Sequence, residues 1–215
     1  MSAHTEARGA WNGVGIVKLM GRHSGFIAAG VTLATSEVNF CLVPEAPFAI
    51  DGEGGLLAVL EKRLERRQHA VIVVAEGAGQ RHLERAGAET DASGNQKLGD
   101  IGTFLRDRIR SHFAERDIPV DVKYIDPSYI IRSLPANASD SGLCLVLGQH
   151  AVHAGMAGRT DIVVGFWNAR FTHVPIPLAV GTRKQLETTR GEWQRVLQAT
   201  GQPALVGAES VASRD

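Results

Sequence analysis

The sequence predicts an α/β protein with a three-layer, Rossmann-like parallel sheet and helices flanking both faces. The first observation is that short apolar runs of strand length alternate along the chain with longer segments of helical spacing. Strands that alternate with helices form βαβ units, whose strands are parallel. The second observation is size, because a chain of 215 residues of which 44% are hydrophobic can bury a sizeable core.

In the first half of the chain, apolar runs predict strands and segments with helical spacing predict helices. Ser24 is a candidate N-cap of the first helix. A polar, glycine-rich stretch after the third strand predicts a long loop, which is often a functional feature. The segments are residues 15–19 (strand), 24–35 (helix), 40–43 (strand), 54–67 (helix), 71–74 (strand) and 77–99 (loop).

The second half continues the alternation and then changes to a hairpin. A long, mostly apolar helix is expected to pack on the sheet. Asn168-Ala169 between two apolar runs predicts a hairpin turn, and the tail after the last helix is expected to fray. The segments are residues 99–115 (helix), 120–125 (strand), 139–157 (helix), 161–166 and 171–174 (hairpin strands) and 184–199 (helix).

Charge and residue usage argue against several classes of function. Lys plus Arg and Asp plus Glu number 23 each, so the net charge of zero gives no support for a nucleic-acid partner. Apolar runs are too short to cross a membrane and no signal core is evident, so we expect no membrane association and a cytoplasmic location. Cys41 and Cys144 lie in apolar surroundings, which predicts reduced, buried thiols. His150 and His153 lack a third ligand, which predicts packing and not a metal site.

Polar side chains follow the predicted strands, at the edge where open α/β sheets bind ligands. Among them, Tyr-Ile-Ile-Arg at 129–132 is expected to form a turn after the strand at 120–125. Arginines bind phosphate through forked donors, a carboxylate accepts hydrogen bonds from sugar hydroxyls, and a phenol can do either. The helix after Arg22 would direct its N-terminus at the same phosphate. The sequence therefore predicts a pocket for a phosphorylated sugar. Its candidate residues are Met20, Gly21, Arg22, Glu76, Tyr129 and Arg132.

Each candidate also has a structural alternative. Arg22 and Arg132 could form surface salt bridges, since an arginine after a strand often pairs with a carboxylate. Glu76, followed by a glycine, could cap a turn. Tyr129 could be a packing phenol.

These residues stand in motifs that resemble those of the 6-phosphofructokinases. The motifs occur in the order used by that family, and Tyr-Ile-Ile-Arg resembles the branch with ATP-dependent and pyrophosphate-dependent members. They are Met-Gly-Arg at 20–22, Pro-Glu at 44–45, Val-Val-Ala-Glu-Gly at 73–77, Asp-x-x-Gly-Asn at 91–95, Tyr-Ile-Asp-Pro-Ser-Tyr-Ile-Ile-Arg at 124–132 and Ala-Val-His-Ala-Gly-Met-Ala-Gly at 151–158.

The resemblance implies a phosphofructokinase-like fold in which residues 1–180 form the carboxyl-terminal, fructose 6-phosphate-binding half, followed by a C-terminal helix and tail at 181–215. In the family, the phosphoryl donor lies on a Gly-Gly-Asp-Gly-Thr or Gly-Gly-Asp-Asp-Thr loop, and the base is the aspartate of a Thr-Ile-Asp motif. Neither pattern occurs in the 215 residues. We therefore expect the donor-binding half and the catalytic base to be missing, and no turnover by the chain alone.

The resemblance also implies roles for individual residues. Arg132 would clamp the 6-phosphate, and Arg22 would reach toward the transferred phosphoryl group as a transition-state charge stabiliser. Lys123 stands where short bacterial enzymes carry an arginine that reaches the sugar phosphate of a neighbouring subunit, and it supplies charge without a fork. The implied substrate-binding residues are Met20, Gly21, Arg22, Glu76, Lys123, Tyr129 and Arg132.

The implied reaction is phosphoryl transfer from ATP or pyrophosphate to fructose 6-phosphate, giving fructose 1,6-bisphosphate in glycolysis. Mg²⁺ and the donor would be held mainly by the missing half, and the sequence does not choose between the two donors. The implied partners are fructose 6-phosphate and either further copies of the chain or a separate donor-binding half. The alternative is a non-catalytic sugar-phosphate-binding module or a degenerate fragment.

Overall fold

The computed structural model describes residues 2–83 and 97–205, without the side chains of Ser128 and Tyr129. The chain divides into two compact units. The first comprises the residues up to Ser128 together with those from Gln185 onward, and the second is Tyr129–Lys184. The predicted domain boundary at residue 180 was drawn from the family resemblance, whereas these two units are defined by packing, so that boundary stays a prediction.

The first unit is built on a four-stranded sheet in which all neighbouring strands are parallel. The spatial order is β2-β3-β1-β4, and the central pair is in register from Gly13 opposite His69 to Leu19 opposite Ala75. This confirms the predicted parallel α/β sheet. The strands are β1 (Gly13–Leu19), β2 (Phe40–Leu42), β3 (His69–Ala75) and β4 (Asp121–Ile125).

Helices flank both faces of this sheet. One face carries Gly13 and Gly15, where the lack of side chains lets the backbone of the first helix approach closely. The other face carries Ile16 and, opposite it on β4, Tyr124, whose ring contacts Gly102 of the fourth helix. The predicted three-layer arrangement is therefore confirmed. The helices of this unit are α1 (Ser2–Gly9), α2 (Phe26–Thr35), α3 (Leu56–Arg67), α4 (Ile101–Ala114) and, further along the chain, α8 (Glu192–Thr200).

The core explains why these segments fold as they do. Helix α3 buries Leu56, Leu60 and Leu64 at four-residue spacing and leaves its charged residues outside. Each fully buried leucine contributes roughly 1.5–3 kcal/mol relative to exposure. Strand β3 is buried on both faces from Ala70 to Ala75, as expected for a central parallel strand.

Some boundaries differ from the predictions. Helix α2 has Gly25 at its N-cap position with no side-chain hydrogen bond, so the prediction of Ser24 as N-cap is wrong. The last helix begins at Glu192 and not at residue 184. Part of the predicted loop forms a 3-10 turn at Gln80–His82. The Asp-x-x-Gly-Asn pattern at 91–95 lies outside the described residues.

The second unit contains a short helical segment, a long helix and a hairpin. Asn168 and Ala169 both have left-handed backbone angles, with φ of 47° and 60°, which confirms the predicted hairpin turn between antiparallel strands. Tyr-Ile-Ile-Arg lies in a helix and not in a turn. The elements are α5 (Ser128–Ser133), which begins at the last residue of the first unit, α6 (Ala138–Met156), β5 (Ile162–Trp167), β6 (Arg170–Pro175) and α7 (Ile176–Val180).

Helix α6 leaves much of its apolar surface exposed. Ala154 is its one buried residue, and Leu145, Val152 and Met156 are exposed. Apolar residues occur on all sides of this helix, so its sequence does not indicate which side is buried. Cys144 on this helix is also exposed, whereas Cys41 on β2 is buried as predicted.

Candidate functional site

The loops that follow β1 and β3 meet at the carboxyl edge of the sheet. The Glu76 N–H donates to the carbonyl of Leu19 over 2.9 Å, and the Gly77 N–H donates to the carbonyl of Gly21 over 3.1 Å. The chain leaves β1 toward β2 and leaves β3 toward β4, in opposite directions across the sheet. Diverging loops of this kind open a crevice where α/β sheets bind ligands. The structure thus brings residues 20–22 together with Glu76.

Two glycines allow these loops to touch. Gly21 has a φ of 145°, and a Cβ there would lie 2.5 Å from the carbonyl oxygen of Ser24. A Cβ on Gly77 would lie 2.6 Å from the carbonyl carbon of Arg22, and its carbonyl oxygen would be nearer still. The close approach of the second loop therefore fixes where the Arg22 backbone lies relative to Glu76.

Arg22 and Glu76 give this crevice one charge of each sign. Both side chains are half-buried. Within the described ranges, the Glu76 carboxylate makes no hydrogen bond or ion pair with another residue, although its backbone carbonyl accepts from Gln80 Nε2 over 2.7 Å. A partly desolvated carboxylate gains from any donor that reaches it. Glu76 is therefore suited to accept hydrogen bonds from ligand hydroxyls.

A carboxylate occupies the start of α2. Both oxygens of Glu45 accept from the Gly25 N–H over 3.0 Å, and one of them also accepts from the Leu186 N–H over 2.8 Å. The Gly25 N–H is therefore already used by a carboxylate, and the expectation that this helix N-terminus acts with Arg22 on a phosphate stays a prediction. Glu45 instead holds the far end of the loop that carries Arg22.

A charged network that the sequence did not reveal lies beside the same edge. Lys18 Nζ is 2.9 Å from Asp126 Oδ2 and 3.1 Å from Asp100 Oδ1. The Tyr124 hydroxyl donates to Asp100 Oδ1 over 2.9 Å, and Asp100 also caps α4 by accepting from the Gly102 N–H over 3.1 Å. Lys18 stands in an apolar run, and its partners are far away in sequence, so the fold alone brings them together.

The network keeps fixed charges across the physiological pH range. Burial raises the pKa of Asp100, but hydrogen bonds from Thr103, Tyr124 and Lys18 outweigh it and lower the pKa to about 2. Burial raises the pKa of Tyr124 to about 12, assisted by its hydrogen bond to Asp100. Burial lowers the pKa of Lys18, yet its hydrogen bonds to Asp126, Tyr124 and Asp100 outweigh this and raise it above the ordinary value. The network is therefore an ion pair with a neutral phenol, not an acid or base.

The remaining predicted site residues belong to other elements of the fold. Lys123 is exposed on β4, two residues before the end of the strand, and its ammonium is 3.3 Å from the Asp121 carboxylate. Tyr129 and Arg132 lie on α5 at the start of the second unit. Their roles stay predictions.

A second concave surface lies at the opposite, amino edge of the sheet. Its cavity of about 360 Å³ is lined by Arg63, Arg66 and Arg67 of α3, together with polar and apolar residues and no acidic side chain. This cavity shares no residue with the crevice at the carboxyl edge.

Two further classes of site are absent from the described ranges. Residues 2–83 and 97–205 contain no group of three or more His, Cys, Asp and Glu side chains that could hold a metal ion. Among the helices described, none has the length and apolar character needed to span a membrane.

The phosphofructokinase family model matches residues 1–155. The chain belongs to the phosphofructokinase family. Similar proteins include the ATP-dependent 6-phosphofructokinase of Amycolatopsis methanolica, 51% identical over 98% of this chain and 47% of that protein. The ATP-dependent 6-phosphofructokinase of Borreliella burgdorferi is 49% identical over 94% of this chain and 46% of that protein. The chain thus spans about half the length of the relatives it matches.

Solved structures agree on the fold. A pyrophosphate-dependent phosphofructokinase from Marinobacter aquaeolei superposes with a TM-score of 0.64 at 18% identity, covering 96% of this chain and 51% of that one. A second, from Nitrosospira multiformis, superposes with a TM-score of 0.61 at 18% identity, covering 86% of this chain and 45% of that one. At this identity the likeness supports the phosphofructokinase-like fold, and the family resemblance drawn from the motifs is confirmed by the family match.

Proposed function

We propose that this chain supplies the fructose 6-phosphate site of a 6-phosphofructokinase that phosphorylates the 1-hydroxyl of the sugar to give fructose 1,6-bisphosphate in glycolysis. The observation that carries the proposal is the contact of the Arg22 and Glu76 loops at the carboxyl edge, with the Glu76 carboxylate left without a described partner. In a member of this family, that geometry supports binding of a ligand with both an anionic group and hydroxyls.

The residues of the first unit have distinct parts in this proposal. Glu76 accepts hydrogen bonds from sugar hydroxyls, and the guanidinium of Arg22 neutralises charge on the transferred phosphoryl group. Met20 and Gly21 shape the turn that aims Arg22. Because phosphoryl transfer depends chiefly on positioning and charge neutralisation, the chain contributes by orienting the acceptor.

Three further residues are proposed from the family resemblance. Arg132 clamps the 6-phosphate through its fork, and Tyr129 hydrogen-bonds the same sugar phosphate. Lys123, exposed on an edge strand, contributes charge to the sugar phosphate of a neighbouring copy in a homo-oligomer. Its ion pair with Asp121 would have to yield to that phosphate.

The phosphoryl donor is proposed to be ATP. The relatives at 49% and 51% identity are ATP-dependent 6-phosphofructokinases, whereas the pyrophosphate-dependent phosphofructokinases are structures at 18% identity. Pyrophosphate remains the alternative donor. We place the donor and Mg²⁺ mainly on a donor-binding half outside these residues, which is consistent with the missing donor-loop and base motifs and with a chain about half the length of its relatives. The proposed location is the cytoplasm.

Calorimetric titration with fructose 6-phosphate tests the site. A charge-assisted contact is worth about 1.5–3 kcal/mol, so Arg22→Ala and Arg132→Ala should each weaken binding by roughly tenfold to a hundredfold. Arg132→Lys should recover part of the loss, because it keeps charge without the fork. Glu76→Gln should weaken sugar binding but leave inorganic phosphate competition largely intact.

Matched controls separate these effects from general loss of charge. Arg190 and Glu187 form an exposed pair at 2.7 Å in the same unit as Arg22. Arg190→Ala and Glu187→Gln should bind like the parent chain. If Arg22→Ala and Glu76→Gln also bind like the parent, this crevice is not the sugar-phosphate site.

The second candidate function is a sugar-phosphate-binding module without catalysis, favoured by the missing donor-loop and base motifs. The isolated chain should show no turnover with ATP or pyrophosphate in an aldolase-coupled assay. Turnover that survives repurification and is lost in Arg22→Ala would contradict this and show that the 215 residues carry a complete active site.

A further inference from the structure

Strand β1 is joined to its two neighbours in different ways at its carboxyl end. Toward β3, the ladder runs to Leu19 opposite Ala75, and backbone hydrogen bonds continue into the following loops. Toward β4, the ladder stops earlier, at Val17 opposite Ile125. One residue beyond that point, Lys18 forms its 2.9 Å ion pair with Asp126. Beyond the end of the ladder, β1 is therefore joined to the β4 side by an ion pair between side chains, whereas backbone hydrogen bonds join it to the β3 side.

The ion pair between Lys18 and Asp126 is less exposed to solvent than an ordinary surface pair. The Lys18 side chain is 18% exposed, against 36% for Asp126 and 43% for Asp100. Partly buried pairs are screened less by salt than exposed ones. The second carboxylate, Asp100, is itself fixed as the cap of α4. Lys18 is thus held in one position by groups from two different elements.

Sequence position connects this pair to the proposed site. Lys18 stands two residues before Met20, where the loop that carries Arg22 begins. Asp126 is the first residue after β4, and it begins the segment that leads to Tyr129 and Arg132. The ion pair therefore joins the points from which both arginine-bearing segments leave the sheet.

We propose that Lys18 is a positioning residue for the sugar-phosphate site, because its ion pair with Asp126 holds the residue at which the segment that carries Arg132 begins. The inference rests on the proposed function. Lys18 itself needs no contact with the ligand, since its charge is already matched by two carboxylates.

The test is titration of the full chain with fructose 6-phosphate, alongside thermal melts. Lys18→Met keeps an unbranched side chain of nearly the same length and removes the charge, and it should weaken binding by roughly tenfold to a hundredfold, as small misplacements of binding groups do. Lys18→Arg should restore most of the affinity, and Asp126→Asn should weaken binding as Lys18→Met does. The control Tyr124→Phe removes the hydroxyl that bonds Asp100 and Lys18 but keeps the Lys18–Asp126 ion pair, so it should bind like the parent.

Hydrogen exchange provides a readout that does not need ligand. Lys18→Met should speed amide exchange at residues 128–133 more than at Glu76 and Gly77, whose N–H groups donate to the carbonyls of Leu19 and Gly21. If Lys18→Met lowers Tm but leaves both affinity and this exchange unchanged, Lys18 is merely structural and the inference is wrong. If the parent chain itself binds no fructose 6-phosphate, the proposed function fails first, and the positioning role for that ligand fails with it.

Discussion

Gly77→Ala tests the packing of the two site loops. A Cβ at this position would lie 2.6 Å from the carbonyl carbon of Arg22 and 3.0 Å from the carbonyl oxygen of Gly21. Because carbon atoms pack at about 3.5–4.0 Å, the Arg22 backbone must move by roughly 1 Å. We expect a destabilisation of about 1–3 kcal/mol from overpacking, which lowers Tm by roughly 2–4 °C for each kcal/mol. A shift of this size should also weaken fructose 6-phosphate binding by up to about a hundredfold.

Gly30→Ala is the matched control for this substitution. Gly30 lies in α2, after the same loop, and a Cβ there would have no neighbour within 4 Å. Alanine should stabilise the helix by about 0.5–1 kcal/mol and leave binding unchanged. The measurements are thermal melts and calorimetric titrations of both variants. If Gly77→Ala melts and binds like the parent, the two loops do not touch as described and the account of the site is wrong.

Three further predictions follow from charge, thiol exposure and apolar surface. The pKa of Asp100 is lowered from 3.8 to about 2 in the folded chain. The carboxylate therefore stabilises the fold fully above pH 3.8, and this stabilisation is lost as the pH falls to about 2. Between about pH 4 and 2, the free energy of unfolding of Asp100→Asn should therefore fall less steeply with pH than that of the parent chain. Equal slopes for the two chains would contradict this. Burial raises the pKa of Cys41 to about 11, so a thiol reagent should react fast with the exposed Cys144 alone, and Cys144→Ser should abolish the fast phase. Because the second unit exposes many large apolar side chains, the isolated chain should associate in light scattering, and a stable monomer would count against this.

The strands and the edge that carries the site were predictable because their signals are local. The run from Val71 to Ala75 is continuously apolar, so it predicts a buried strand and places Glu76 at its carboxyl end. Arg22 and Glu76 follow strands that are separated by a predicted crossover, and parallel strands bring their carboxyl ends to one edge. The meeting of these two residues required no knowledge of side-chain contacts.

The supporting contacts were not predictable because they depend on residues far apart in sequence. Lys18 looks like an interruption of an apolar strand until the fold places it against Asp100 and Asp126. Glu45 looks like a turn residue until its carboxylate meets the start of α2. Tyr-Ile-Ile-Arg forms α5 and not the predicted turn, and the preceding proline agrees with this because proline fits just before or at the first turn of a helix.

Two-dimensional NMR during titration with fructose 6-phosphate locates the ligand on the chain and so tests the proposed site directly. We predict saturable amide shifts at residues 20–22, 76–77 and 129–132, which in Arg22→Ala should need roughly tenfold to a hundredfold more sugar phosphate. Shifts that concentrate at the arginine-lined cavity of α3, or an absence of saturable shifts at millimolar sugar phosphate, would contradict the proposed site.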